Sequence, residues 1–160
     1  MSRQGIIDIA TKEIGVFEHP DGSNHTPYGE WFGLQGVPWC AIFVSWVYHN
    51  AGHDLGKGDY AKGFASVPFL YQHFKKQVTT DPKPGDLIIF DWQKGKVAES
   101  DWTPDHIGIF KNWLDKKAGT FETIEGNTSA SNQSNGGMVQ KRQRNLAYVQ
   151  CFVNPLNLPT

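Results

Sequence analysis

The chain has few cysteines, almost no net charge and no long apolar run, and each of these absences argues against a class of protein. Two of its 160 residues are cysteines, Cys40 and Cys151, so a disulfide framework is not expected. Fifteen basic residues face 16 acidic ones, and a net charge of −1 provides no field to attract nucleic acid. The N-terminus leads into an amphipathic segment, which predicts neither a signal peptide nor membrane insertion. We therefore expect a protein that is made in the cytoplasm and needs release to act outside the cell.

The composition is that of one ordinary globular domain. Hydrophobic residues make up 39% and charged residues 19%, and 160 residues suffice for a single core. No internal repeat and no second domain is visible. We expect one domain over residues 1–160, in which residues 154–160 form a tail or the start of a linker.

Hydrophobic periodicity changes from helical to strand-like near the middle of the chain. Helical spacing covers 6–14, 37–52 and 66–76, whereas residues 17–36 resemble a loop. Short strands are predicted at 87–90, 106–110, 120–125, 138–143 and 147–153. Helices followed by consecutive strands predict an α+β fold with an antiparallel sheet.

Cys40 lies where the central helix is predicted to begin. Pro38 suits a first helical turn, and Gly52 is placed to end the helix. A thiol at a helix N-terminus favours the thiolate, the nucleophilic form, and nearby backbone N–H groups can stabilise an oxyanion. The alternative is an ordinary buried cysteine. Cys151 alternates with valines on an apolar face and is predicted to be a core residue.

His106 is the histidine best placed to serve as a base. It opens a predicted strand, and Gly108 on the same face leaves room for a neighbouring element. Glu125 ends the next strand, and in an extended chain Asn127 points the same way as Glu125. A carboxylate or amide beside a histidine would orient its ring. The alternatives are a strand-end histidine, a solvated Glu125 and a turn residue at Asn127.

Aromatic residues and a histidine-containing loop give two further candidate sites. Trp92 and Trp102 flank a polar segment and are candidates for substrate binding, although packing is the alternative for each. His19, Asp21 and His25 share a loop in which calcium or another cation could bind. The remaining histidines are interpreted as surface or helix-end residues.

Four motifs in order resemble the CHAP domain (cysteine, histidine-dependent amidohydrolase/peptidase), a papain-like family of phage endolysins and bacterial wall hydrolases. They are VPWCAIFVSWVY at 37–48, PGDLIIF at 84–90, DHIGI at 105–109 and TIEGNT at 123–128. The resemblance extends from about Ile7 to Phe152. It implies a papain-like fold in which helices pack on an antiparallel sheet. The aspartate-rich calcium loop of several family members is missing before Cys40, so we expect no cofactor, with calcium as the alternative.

The resemblance also implies a site and an activity. Cys40 would be the nucleophile, His106 the general base and Glu125 the orienting residue, with Asn127 as a polar neighbour or alternative orienter. The implied substrate is bacterial peptidoglycan, cut by a monomeric amidase or endopeptidase of phage or prophage origin without membrane insertion. Alternatives are an interbacterial amidase toxin and an inactive wall-binding module on the same fold.

Overall fold

The computed structural model describes residues 2–93, 104–129, 131–132 and 135–160. Four α-helices come first: α1 (Arg3–Lys12), α2 (Pro27–Phe32), α3 (Cys40–Asn50) and α4 (Val67–His73). Six strands follow: β1 (Val78–Thr79), β2 (Leu87–Phe90), β3 (His106–Asp115), β4 (Thr120–Thr128), β5 (Met138–Asn145) and β6 (Val149–Val153). The strands form one antiparallel sheet in the order β1-β6-β2-β3-β4-β5. The predicted α+β class is confirmed.

The central helix α3 is buried on nearly every side because apolar residues occupy all its faces. It packs against β3 and β4. The helix approaches the sheet closely at Gly126, where an added Cβ would lie 2.7 Å from Phe43 Cβ. A glycine at this position therefore lets the helix lie directly on the strand that carries Glu125.

The boundaries of α3 differ slightly from the prediction. The helix begins at Cys40 with Trp39 as its N-cap, so Pro38 precedes the helix instead of lying in its first turn. Helix α3 ends at Asn50, and Gly52 follows with a φ of 77°. Because the helix begins two residues after Pro38, Cys40 is its first residue.

Helix α2 was not predicted, because six residues are too short to establish a periodic pattern. The local signals are nevertheless present. Thr26 Oγ1 accepts a hydrogen bond from the Gly29 N–H at 3.1 Å, Pro27 occupies the first turn, and Gly33 ends the helix with a φ of 91°. The loop prediction for residues 17–36 is therefore wrong for Pro27–Phe32.

The hairpin strands are longer than their apolar patterns predicted. Strand β3 continues through half-buried and exposed residues, β4 through buried residues that include Asn127 and Thr128, and β5 through the largely polar residues up to Asn145. Backbone pairing rather than hydrophobicity holds these ends, from Phe121 opposite Arg144 to Thr120 opposite Asn145. The last strand is shorter, because residues 146–148 form a 3₁₀ turn.

The sheet has a helix-covered face and an aromatic face. One core joins the helices to sheet residues such as Leu87, Ile109 and Ile124. On the other face Phe90, Phe110, Phe121 and Phe152 form a second cluster with other apolar residues. Residues 154–158 pack back onto the domain through Leu156 and Leu158. None of the helices in the described ranges has the length and apolar character needed to cross a membrane.

Candidate active site

Cys40 is the first residue of α3, and its side chain is buried. Among the described residues, Trp39 makes no side-chain capping bond to this helix. The N–H groups of the first turn have no acceptors within the helix, so they remain available near the thiol. They can favour a thiolate, and they can donate hydrogen bonds to a substrate oxygen that develops negative charge.

His106 opens β3 and is completely buried. Its Nε2 lies 2.8 Å from Glu125 Oε1. Within the described part of the chain, His106 Nδ1 has no partner that meets hydrogen-bond geometry. The Cys40 side chain lies close enough to the ring to raise the pKa of His106. Because Nε2 is bonded to Glu125, Nδ1 is the nitrogen left for Cys40, and a loosely aligned contact is common before substrate binds.

Glu125 on β4 has hydrogen-bond donors on both carboxylate oxygens. Oε1 accepts from His106 and, at 2.6 Å, from Arg144 Nη2. Oε2 accepts from Arg144 Nε at 2.9 Å and from the Thr123 hydroxyl. The carboxylate is therefore held in one orientation, and that orientation fixes the ring of His106.

The pKa values of the pair reflect these partners. Burial acts to lower the pKa of His106, but the interactions with Cys40 and Glu125 outweigh it and raise the pKa to about 9. Burial acts to raise the pKa of Glu125, but Arg144 and His106 lower it to about 2. At neutral pH the site thus holds an imidazolium beside a carboxylate.

Gly108 makes this arrangement possible. A Cβ at Gly108 would lie 2.6 Å from Glu125 Cγ. The Glu125 side chain therefore crosses the position that any larger residue would fill, which accords with the space predicted beside His106. Alanine at this position would displace the carboxylate from the ring.

Arg144 on β5 was missed by sequence reasoning. The predicted strand stopped at residue 143, one position before Arg144, because the segment is polar. One signal could have found it: a buried carboxylate requires a buried counter-charge, and the neighbouring strand of a hairpin is the nearest source. Its guanidinium Cζ also lies 5.2 Å from the Phe90 ring centroid and 5.3 Å from that of Trp92.

The condition under which Asn127 would point the same way as Glu125 is not met, because the chain does not stay extended there. A bulge interrupts β4 after Glu125, and Asn127 adopts a φ of 56° instead of an extended conformation. Asn127 Oδ1 accepts from the Gly137 N–H at 3.1 Å, and Nδ2 donates to Asn135 Oδ1 at 3.2 Å. Both ends of the amide hold the 135–137 segment rather than His106.

Hydrogen bonds connect that segment to the start of α3. The Glu18 N–H donates to the Gly137 carbonyl at 2.9 Å, and Trp39 Nε1 donates to Glu18 Oε2 at 3.1 Å. Glu18 is itself buried. A chain of hydrogen bonds therefore runs from Asn127 to the residue that precedes Cys40.

Trp92 forms part of the wall beside His106. Its ring stacks on Phe90 at 5.0 Å and lies 6.0 Å from the His106 ring. Tyr148 meets it edge-on at 5.8 Å. Trp92 is half-buried, so packing uses much of the ring. Trp102, the other candidate for substrate binding, lies outside the described residues.

The candidate cation loop gains no geometric support from residues 2–93, where His19, Asp21 and His25 lie. No three acidic, histidine or cysteine side chains are grouped as a metal site in the described ranges. Backbone bonds close the loop instead, from the His19 N–H to the His25 carbonyl at 3.0 Å. These residues do not fit calcium as a ligand set.

The two cysteines occupy contrasting environments. Cys151 is half-buried on β6 and packs against the helix-side core. Burial alone raises its pKa to about 11, so the thiol is favoured. The predicted core character of Cys151 agrees with this environment.

Fold and site together define a class of domain: an α+β unit in which a cysteine begins the central helix next to a histidine–glutamate pair on the sheet. The CHAP domain family matches residues 32–127, and the chain belongs to this family. The resemblance predicted from the motifs is confirmed.

A solved structure described as wild-type endolysin LysIME-EF1 has a similar fold, with a TM-score of 0.60 and 16% sequence identity. The similarity covers 98% of this chain and 65% of the endolysin chain. This chain therefore spans about two thirds of the length of that protein. No curated protein matches the sequence.

Proposed function

We propose that the chain is a peptidoglycan hydrolase that cuts an amide bond through a cysteine acyl-enzyme. The observation that carries the proposal is the burial of Cys40 at a helix N-terminus beside His106, whose Nε2 is bonded to Glu125. Membership of the CHAP family and the fold shared with an endolysin support the substrate class. The proposed roles are nucleophile for Cys40, acid and base for His106, and orienting residue for Glu125.

The proposed reaction begins with Cys40 as a thiolate and His106 as an imidazolium. The Cys40 thiolate attacks the amide carbonyl carbon and forms a C–S bond, while first-turn N–H groups of α3 stabilise the oxyanion. His106 gives its proton to the amide nitrogen, and the C–N bond breaks to release an amine. Water then loses a proton to His106 and attacks the thioester, which releases the acid and restores the thiolate. Glu125 keeps the ring oriented throughout.

Two bonds fit this chemistry: the amide between N-acetylmuramic acid and L-alanine, and an amide within the stem or bridge peptides. Both present a carbonyl to a thiolate and an amine leaving group to His106. The half-buried Trp92 forms a wall where substrate can pack, and we propose Trp102 as its counterpart. We further propose a monomeric catalytic domain of phage or prophage origin that acts on the wall after release.

Digestion of purified peptidoglycans with different crosslinks, followed by mass spectrometry of the fragments, tests this function. Intact stem peptides freed from glycan would identify an amidase, and cuts within stems or bridges would identify an endopeptidase. Cys40→Ala is the matched control and should release nothing. If wild type and Cys40→Ala both leave every wall intact, hydrolysis is refuted and the wall-binding module replaces it. Activity neutralised by an immunity protein encoded nearby would instead identify a toxin.

A further inference from the structure

Cys40, His106, Glu125 and Arg144 form a buried cluster of ionisable side chains. Arg144 is its second cation, beside His106. It contacts Glu125 through two nitrogens, Nε at 2.9 Å and Nη2 at 2.6 Å. Its side chain is 6% exposed and that of Glu125 is 0% exposed. Phe90 and Trp92 cover the guanidinium. Little water reaches this pair, so its charges act strongly on their neighbours.

Counting charges shows what the arginine contributes. A thiolate at Cys40 and a carboxylate at Glu125 are two anions, and His106 and Arg144 are the two matching cations. Without Arg144, one imidazolium would face two buried anions, and such a site neutralises one anion with a proton. The thiol takes that proton more readily, because Glu125 still accepts bonds from His106 and Thr123.

We propose that Arg144 is a positioning residue that neutralises Glu125, so that the carboxylate orients His106 while the imidazolium charge remains available to the Cys40 thiolate. This role rests on the proposed function of Cys40 as nucleophile. The Glu125–Arg144 pair would then act as an electrically neutral orienter of the ring, as a single amide side chain could.

The other charged groups around the cluster do not replace Arg144. Arg142, two residues earlier on β5, is less buried, and its pKa is lowered by burial and by the charge of Arg144. Asp105, which precedes β3, accepts a hydrogen bond from the Trp92 N–H at 2.7 Å. Cys40 approaches His106 from α3, and Glu125 approaches it from β4. Among the described residues, Arg144 is the cation that hydrogen-bonds the Glu125 carboxylate apart from His106.

Alkylation of Cys40 by iodoacetamide reports the thiolate without requiring a wall substrate. The thiolate displaces iodide and forms a C–S bond, so the rate at each pH follows the thiolate fraction. Mass spectrometry of the Cys40 peptide separates this reaction from that of Cys151. We measure the rate over a range of pH and expect Arg144→Gln to raise the midpoint of the Cys40 alkylation profile by about one pH unit or more, which corresponds to a thiol that binds its proton about tenfold more tightly.

The double variant Glu125→Gln/Arg144→Gln tests whether charge balance explains the effect of Arg144. It removes one anion and one cation together, and the glutamine can still accept the Nε2–H bond. We expect the midpoint of its alkylation profile to return to within about half a pH unit of wild type. A merely structural arginine would leave the double variant at least as impaired as Arg144→Gln.

Arg3→Gln is the matched control, because Arg3 also pairs with a buried carboxylate, Asp86, at 2.6 Å. We expect wild-type alkylation of Cys40 in that variant. A wild-type alkylation midpoint in Arg144→Gln, or a double variant whose midpoint stays about one pH unit higher than wild type, would overturn the role of Arg144. If Arg144→Gln does not fold, the double variant alone decides. Absence of wall cleavage with this alkylation pattern intact would refute the proposed hydrolase but not the charge balance.

Discussion

Two buried carboxylates in this protein each lie 2.6 Å from an arginine nitrogen, yet their pKa values shift in opposite directions. Asp86, just before β2, pairs with Arg3 of α1, and Glu125 pairs with Arg144. Burial dominates at Asp86 and raises its pKa, although Arg3 and the Lys83 N–H oppose the effect. At Glu125, Arg144 and His106 together overcome burial and lower the pKa to about 2.

The difference lies in the number of donors rather than in the closeness of one arginine. Asp86 accepts one bond from Arg3 and one from the Lys83 N–H at 2.8 Å. Glu125 accepts two from Arg144, one from His106 and one from Thr123. The Arg3–Asp86 pair connects α1 to the start of β2. Glu125, which accepts four hydrogen bonds, stays ionised and can act on His106.

His106 is the partner that Glu125 has and Asp86 lacks, and its removal should give the largest effect. We expect His106→Ala to lower wall hydrolysis by at least ~10²–10⁴-fold, because the acid and base of both half-reactions is lost. Asp86→Asn should remain within about twofold of wild type, since a pair that only fastens α1 contributes none of the acid–base catalysis. Turnover of labelled peptidoglycan measures both. Wild-type rates in His106→Ala would remove the proposed triad.

Truncation of each carboxylate should destabilise the two regions unequally. Glu125→Ala leaves Arg144 buried without its anion, and we expect a loss of about 3–5 kcal/mol in the free energy of unfolding. Asp86→Ala should cost about 1–3 kcal/mol. The smaller loss is expected because Arg3 still donates to the carbonyls of Pro84, Leu158 and Pro159. Urea denaturation at pH 7 compares them, and equal losses would contradict the argument from donor number.

Acid should affect the two carboxylates with opposite sign. The pKa of Glu125 is lower in the folded state, so its stabilisation is present above about 4.5 and is lost as the pH falls toward 2. The whole contribution is on the order of 3 kcal/mol. The pKa of Asp86 is higher in the folded state, so protonation in acid favours folding at that site.

Urea denaturation at pH 5 and pH 3 measures these contributions. Glu125→Gln should lose less stability than wild type over this interval, and Asp86→Asn should lose more. A steeper acid loss in Glu125→Gln would reverse the assigned signs.

The loss of activity at high pH should depend on the Glu125 region and not on the Asp86 region. The pKa of His106 is raised from the ordinary value of 6.5 to about 9 in the folded protein. Below pH 6.5 the imidazole is protonated in both the folded and the unfolded chain, and the folded protein loses this proton as the pH rises through 9. We expect kcat/KM to fall about tenfold per pH unit above 9. Arg3→Gln should leave this loss of activity in place, and a loss near 6.5 in wild type would show that Cys40 and Glu125 do not raise the pKa.

The smallest effects should come from neutral hydroxyls on each side. Thr123 donates to Glu125, and Tyr48 donates to the Gly85 carbonyl at 2.5 Å, beside Asp86. Thr123→Val and Tyr48→Phe should each cost about 1 kcal/mol of stability. Hydrolysis should fall a few-fold in Thr123→Val and stay unchanged in Tyr48→Phe. Equal activities would mean that the Thr123 bond does not help to hold the carboxylate.

Local patterns in the sequence predicted much of this architecture. The order of helices and strands, and the α+β class, follow from the change of hydrophobic period. Gly108 correctly indicated space beside His106, because only a residue without a Cβ admits the Glu125 side chain there. Helix α2 escaped because its capping residues are informative only when so short a helix is already suspected.

The orientation of side chains at the end of β4 could not be predicted in the same way. Alternation assigns Glu125 and Asn127 to one side, but a bulge reverses this relation locally. A bulge depends on pairing with another strand, here β5 between Met138 and Gln140, which no local pattern reports.

The sequence by itself determined the fold class, the family and the placement of Cys40 at the start of a helix, because these depend on periodicity, capping and motif order. Only the tertiary structure decided which donors surround Glu125, that Arg144 is one of them and that the Asn127 amide bonds Gly137 and Asn135. Contacts between strands join residues far apart in the chain, and the balance of burial against charge at each carboxylate is set by those contacts.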